Sequence, residues 1–270
     1  MIPKIILITG ASSGIGKACA EVLADDGHIV YGTSRKAMNS EKNNLFFLQC
    51  DVTDKESVDH CVKTIIDERG RLDVVMNNAG AGIVGALELT TREEFDFQME
   101  VNFRGVFNVC TAVVPVFRKQ RSGTIINVSS VGGVMGLPFQ GLYSASKFAV
   151  EGFSEALRLE LHPFGINVVL IQPGDLNTGF TGHRMISQAT QDHPEYKDQF
   201  AITLKLIEDN ENNGGSPEKI ARSVSKIVKQ KKPAFRQPIG NVVERLSIFV
   251  KRLVPGRFFQ WILRMYYQVD

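Results

Sequence analysis

The chain has 270 residues, 43% of them hydrophobic, with a formal net charge of +2 and four cysteines. That length suits one large α/β domain, and the absence of a repeat, a low-complexity tract or an apolar run near the roughly 20 residues of a bilayer span argues against a solenoid, a disordered chain or a membrane-spanning protein. Cys19, Cys50, Cys61 and Cys110 fall within predicted helices and strands, and the five histidines are scattered; neither a disulfide framework nor a metal site is expected.

Residues 4–8 are an apolar, β-branched run that reads as a buried strand, and they lead directly into Thr9-Gly10-Ala11-Ser12-Ser13-Gly14-Ile15-Gly16 and a helix over 17–26 that stops at Gly27. With a strand at the very start, no signal peptide is read and a cytoplasmic location is expected. Strand, glycine turn and helix is the context of a phosphate-binding loop, because glycines let backbone approach a pyrophosphate and the helix start offers free N–H groups. The glycine spacing differs from the common dinucleotide fingerprint. Further along, strands are predicted over 28–33, 45–49, 72–76, 123–128 and 166–172. Helices are predicted over 54–69, capped by Asp54, and over 91–103, 105–119 and 144–161. Such alternation predicts a doubly wound parallel sheet with helices on both faces, a single-domain Rossmann fold whose ligand lies at the carboxyl ends of the strands.

Tyr143 and Lys147 stand four residues apart in Tyr143-Ser144-Ala145-Ser146-Lys147, so on a helix they share one face, and Ser130 lies thirteen residues before Tyr143. A free tyrosine titrates near about 10, and a neighbouring cation favours the phenolate, bringing the group toward the range useful for general acid–base catalysis. With Asp51-Val52, Asn77-Asn78-Ala79-Gly80, Asn102, Pro173-Gly174 and Thr178 in their places along residues 4–180, the chain resembles the short-chain dehydrogenase/reductase family.

That resemblance implies an enzyme in which Tyr143 exchanges a proton with the substrate oxygen, Lys147 tunes Tyr143 and holds the nicotinamide ribose, Ser130 hydrogen-bonds the substrate, and Asn102 orients a relay water. Ser129 is the competing serine, and the thirteen-residue offset favours Ser130. The same resemblance implies a cofactor site built from Gly10, Ser12, Ser13, Gly14, Ile15, Gly16, Ser34, Arg35, Lys36, Asp51, Val52, Asn78, Ala79, Gly80, Tyr143, Lys147, Pro173, Gly174 and Thr178. After the second strand the chain has Thr33-Ser34-Arg35-Lys36 and no carboxylate, which predicts NADP(H) over NAD(H), since a guanidinium can grip a 2′-phosphate.

Apolar positions around Tyr143, among them Val134, Leu137, Phe139 and Phe180, resemble the pocket walls of the steroid and retinol dehydrogenase branch and imply a lipophilic carbonyl or alcohol substrate. A β-ketoacyl-type ketoreductase and a non-catalytic dinucleotide-binding sensor or scaffold are the alternatives. Residues 181–213 are expected to form a lid. Residues 216–270 carry twelve Lys and Arg against three Asp and Glu, and 240–270 read as a basic amphipathic extension. This extension is suited to peripheral membrane contact, to covering the pocket or to a subunit interface in a homodimer or homotetramer; no nucleic-acid module accompanies the charge.

Overall fold

A computed structural model of the chain describes residues 2–40, 42–177, 182 and 184–269. Strands β1 (Ile5–Ile8), β2 (Ile29–Ser34), β3 (Leu45–Gln49) and β4 (Val74–Asn77) are followed by a short β5 (Ile83–Val84), β6 (Gly123–Val128), β7 (Ile166–Pro173), a short β8 (Met185–Ile186) and β9 (Arg236–Ile239). Seven of them form one sheet in the order β3-β2-β1-β4-β6-β7-β9, and β5 pairs with β8. Every pairing in the large sheet is parallel. Between β1 and β4 the strand order reverses, and a crevice opens at their carboxyl ends.

The sheet is covered on both faces, as an all-parallel sheet requires. Because successive side chains of a strand point to opposite faces, Ile5 and Leu7 of β1 join a core with Val58 and Ile65 of α2 (Lys55–Arg69) and with Val109 and Val113 of α4 (Gly105–Gln120).

 The alternate residues Ile6 and Ile8 face the other way, toward Leu23 of α1 (Gly14–Asp25) and toward Ile220, Val224 and Ile227 of α8 (Pro217–Lys229). Between these come α3 (Arg92–Met99), α5 (Gly141–Leu161), α6 (Gln188–Asp192) and α7 (Lys197–Asn212), and the chain closes with α9 (Val242–Leu253) and α10 (Gly256–Tyr267).

Three local features depart from the sequence expectation. The helix expected over 91–103 begins as read, with Thr91 and Glu94 forming a reciprocal capping box, but α3 ends at Met99. Residues Glu100–Arg104 then form a π-helical turn that runs into α4. Such turns are short and commonly sit at functional sites, and this one carries Asn102. Helix α5 starts at Gly141, so Tyr143 lies inside its first turn. Strand β9 was not expected: its sequence Arg-Gln-Pro-Ile is short and contains Pro238, which an edge strand tolerates.

Candidate active site

The glycine loop leaves β1 and turns into α1 within reach of β4. Gly10 and Gly14 adopt φ of +64° and +53°, in the left-handed region that favours glycine. A Cβ on Gly16 would lie 2.2 Å from the Gly10 carbonyl oxygen and 2.5 Å from Asn78 Nδ2, so only glycine fits there. Asn78 Nδ2 donates to the carbonyls of Thr9 and Gly10, both at 3.0 Å. The Thr9 hydroxyl in turn accepts from the backbone N–H groups of Asn78 at 3.0 Å and Ala79 at 3.1 Å. The loop and the end of β4 are thus one hydrogen-bonded unit, and Thr9 belongs to it although no motif in the sequence marks its hydroxyl for this role. Ser13 makes no side-chain cap, which leaves the first N–H groups of α1 to an anion. Gly16→Ala is expected to destabilise the fold by about 1–3 kcal/mol through overpacking and to weaken dinucleotide binding; thermal unfolding and a fluorescence titration with NADPH measure the two effects.

At the end of β2 the cleft is bordered by Ser34, Arg35 and Lys36, and the two basic side chains are exposed. Asp51 Oδ1 accepts from the Thr53 N–H at 2.9 Å and the Thr53 hydroxyl at 2.8 Å, so it shapes its own turn while lining the cleft. One continuous cavity of about 1340 Å³ runs from these residues past Gly10, Asn78 and Gly80 to Ser130, Tyr143 and Lys147. Of the residues proposed for cofactor contact, Ser12, Ser13, Gly14, Ile15, Val52, Ala79, Pro173 and Gly174 also line it. Gly16 supports the loop from behind. Thr178 and Phe180 lie outside the described residues.

Tyr143 and Lys147 share one face of α5, with the Lys147 ammonium 5.8 Å from the centre of the Tyr143 ring. The ammonium donates to the Val128 carbonyl at 2.9 Å, and burial pushes its pKa down to about 8. For Tyr143 the sequence predicts a lowered pKa, whereas burial raises it, and the negative charges of Glu211 and Asp175 add to the rise. A hydrogen bond with Ser130 works in the opposite direction without overcoming burial. The physical reason is distance and direction: the cation is turned to the Val128 carbonyl. Tyr143 is therefore held protonated at neutral pH, the state a proton donor needs.

The choice between the two serines has a geometric answer. Ser130 hydrogen-bonds Tyr143 and also accepts from the Gly132 N–H at 3.1 Å. The Ser129 hydroxyl is buried against Gly133, where an added Cβ would come within 2.4 Å of it. Asn102 is fully buried, its Oδ1 accepting from the Ala81 N–H at 2.8 Å and its Nδ2 donating to the Ala81 carbonyl and the Ser146 hydroxyl, each at 3.0 Å. Its side chain is thus spent on fixing the start of α5 against the loop after β4.

The expected substrate wall divides. Leu137 lines the cavity, whereas Val134 and Phe139 are not among its lining residues. Val134 packs under the carboxyl-terminal helices, beside Ile248 and Phe259. Phe139, at a left-handed φ of +54°, packs edge to face against Phe200 of α7 with centroids 5.2 Å apart. An apolar residue near Tyr143 can face either way, and only tertiary packing decides. The wall also includes residues not proposed from sequence: Asp175 after β7, Ile207 and Glu211 of α7, and Phe259, Leu263 and Tyr267 of α10. Within the stretch expected as a lid, β8 is pinned to β5, and α7 is anchored to α10 by a hydrogen bond from Asn210 to the Tyr266 hydroxyl at 3.0 Å. Glu211 pairs with the buried Arg184.

A family model described as short chain dehydrogenase matches residues 4–188. The chain is 54% identical over 269 residues to a 3-ketodihydrosphingosine reductase of Bacteroides thetaiotaomicron, with all of both chains covered. Among solved structures, a short-chain dehydrogenase from Streptomyces avermitilis superposes with a TM-score of 0.82 at 30% identity, covering 98% of each chain. A 3-ketoacyl-(acyl-carrier-protein) reductase from Brucella melitensis, complexed with NADH, follows at a TM-score of 0.73 and 25% identity over 87% of this chain and 96% of that one. ElxO, of similar likeness, was solved with NADP bound.

Proposed function

The chain belongs to the short-chain dehydrogenase/reductase family, and from that premise we propose that it is an NADP(H)-dependent reductase of long-chain lipid ketones, with a 3-ketodihydrosphingosine as its substrate. The observation that carries this reading is the full-length likeness to a 3-ketodihydrosphingosine reductase. The cavity agrees with it, since an apolar wall from α10 meets Ser130 and Tyr143 at one end. A sphingoid ketone falls within the lipophilic class expected from the sequence, which takes in steroid-, retinoid- and lipid-like molecules.

The glycine loop and the α1 start fit a pyrophosphate, and Asn78, Gly80 and Lys147 line the path toward Tyr143. A nicotinamide dinucleotide held there would supply the hydride that reduces the ketone carbon. Tyr143 donates the proton that the ketone oxygen takes up, and Ser130 hydrogen-bonds that oxygen as negative charge builds on it. Lys147 would hold the nicotinamide ribose and keep a positive charge near the reacting oxygen. Asn102 positions α5, and through it both catalytic side chains.

Arg35 tests the choice of dinucleotide. Arg35→Ala is expected to weaken NADPH binding by about 1.5–3 kcal/mol, toward the lower figure because the side chain is exposed, while NADH binding stays nearly constant. Equal losses for both would make Arg35 structural.

Asp175 fits the second polar group of the substrate. A 3-ketodihydrosphingosine carries an amine on the carbon beside the ketone, and the Asp175 carboxylate lines the cavity close enough to Tyr143 to influence its titration. Burial and the charges of Glu244 and Glu211 raise Asp175 to about 7, so an ammonium in the cleft would favour its ionised form. Asp175→Asn is expected to raise KM for the amino ketone about tenfold and to spare a long-chain ketone without the amine. Equal effects on both would remove Asp175 from substrate recognition and would favour a β-ketoacyl-type substrate. A homodimer or homotetramer belongs to the same reading, supported by the exposed Phe107 on α4.

A further inference from the structure

We infer that the outer faces of α9 and α10 seat the protein on an anionic membrane surface, with the mouth of the substrate cavity beside the bilayer. Helix α10 is two-sided. Phe259, Leu263 and Tyr267 face the interior and line the cavity. On the opposite side Phe258, Trp261 and Met265 are 50%, 55% and 65% exposed. These three recur at helical spacing, and Arg257 and Arg264 border them on one flank. Helix α9 repeats the arrangement. It is anchored by the buried Ile248 and by the Lys251 ammonium, which donates to the Val134 carbonyl, and it turns Val242, Leu246, Phe249 and Leu253 to solvent. Arg245 and Arg252 flank that stripe and are exposed.

Charge selects the occupant of this surface. From Arg245 to Val269 the sequence contains no Asp or Glu, and Glu244 is committed to the capping box with Asn241. A two-fold pairing of this face with itself would bring arginine to arginine with no carboxylate to meet them, because an isologous interface must be complementary to itself. Lipid phosphates and anionic headgroups supply what the face lacks, and an apolar stripe bordered by basic residues is the pattern of a helix lying in the interface. Among the described residues no helix is long and apolar enough to cross a membrane, so the contact is peripheral. The same helix that meets lipid on one side walls the cavity on the other, giving a water-insoluble ketone a short path from bilayer to Tyr143.

Trp261 is the chain's single tryptophan and sits on the outer stripe, so it reports the contact directly. Full-length protein is titrated with phosphatidylcholine vesicles and with vesicles containing phosphatidylglycerol, following tryptophan emission and co-sedimentation. A blue shift and sedimentation with the anionic vesicles, weakened by salt, is the expected result. Arg257→Gln and Arg264→Gln should each lower vesicle affinity about fivefold. Phe258→Gln should lower it further while turnover of a water-soluble ketone stays at the parent rate. Three results would overturn the inference: no shift with any vesicle, equal binding to neutral and anionic vesicles, or a lipid-free blue shift that grows with protein concentration as a dimer forms through Trp261. None of these outcomes depends on which ketone is the substrate.

Discussion

Tyr143→Phe is expected to lower ketone reduction by about 10²–10⁴-fold, the range lost with a general acid, while NADPH affinity stays near the parent value. The variant removes one hydroxyl and keeps the ring, so the packing of α5 and the proposed ribose contact of Lys147 should be preserved. Its selectivity follows from the geometry: the phenol is hydrogen-bonded to Ser130 at the substrate end of the cavity, whereas the glycine loop and Arg35 lie at the other. Single-turnover absorbance of the reduced nicotinamide, beside a binding titration, separates the two quantities. Turnover within a few-fold of the parent would remove Tyr143 from the proton transfer.

Lys147→Ala should damage both quantities. The ammonium is buried, anchored on the Val128 carbonyl, and lies 3.8 Å from the Cβ position of Gly80 on the dinucleotide path. Losing its charged hydrogen bonds is expected to weaken dinucleotide binding by about 1.5–3 kcal/mol, with a further loss in the catalytic step. The pH profile gives an independent check. Burial depresses Lys147 from its ordinary value to about 8, so the cation is intact below that pH and is lost as pH rises through it. Tyr143, shifted the other way, stays protonated across that window. Reduction should therefore fall on the alkaline side with an inflection near 8, and the inflection should vanish in Lys147→Ala. An unchanged profile in the variant would assign the alkaline fall to another group.

What could be read from the chain beforehand was what short-range patterns carry. Gly10, Gly14 and Gly16 mark a turn whose stereochemistry excludes other residues, and alternating strand and helix periodicity predicts the parallel sheet. The four-residue step from Tyr143 to Lys147 survives because a helix converts it into a shared face. Features that depend on distant packing were not legible. Nothing local shows that Phe139 turns toward Phe200, that Asp175 meets the charges of Glu211 and Glu244, or that the inner face of α10 closes the cavity more than a hundred residues after Tyr143. The upward direction of the Tyr143 shift is hidden from the sequence for the same reason, since spacing reveals a neighbouring cation but not that burial outweighs it. The basic amphipathic character of 240–270 is legible in the sequence, yet the division of α10 into an inner and an outer face depends on its placement against α7.

The most direct test of the proposed reductase is to supply the purified full-length protein with 3-ketodihydrosphingosine in mixed micelles and follow oxidation of NADPH and of NADH in parallel. Stoichiometric conversion of the ketone to the alcohol, with kcat/KM clearly higher for NADPH, is the predicted result. No conversion with either dinucleotide, while a β-ketoacyl thioester is reduced, would contradict the substrate; conversion that favours NADH would contradict the role given to Arg35.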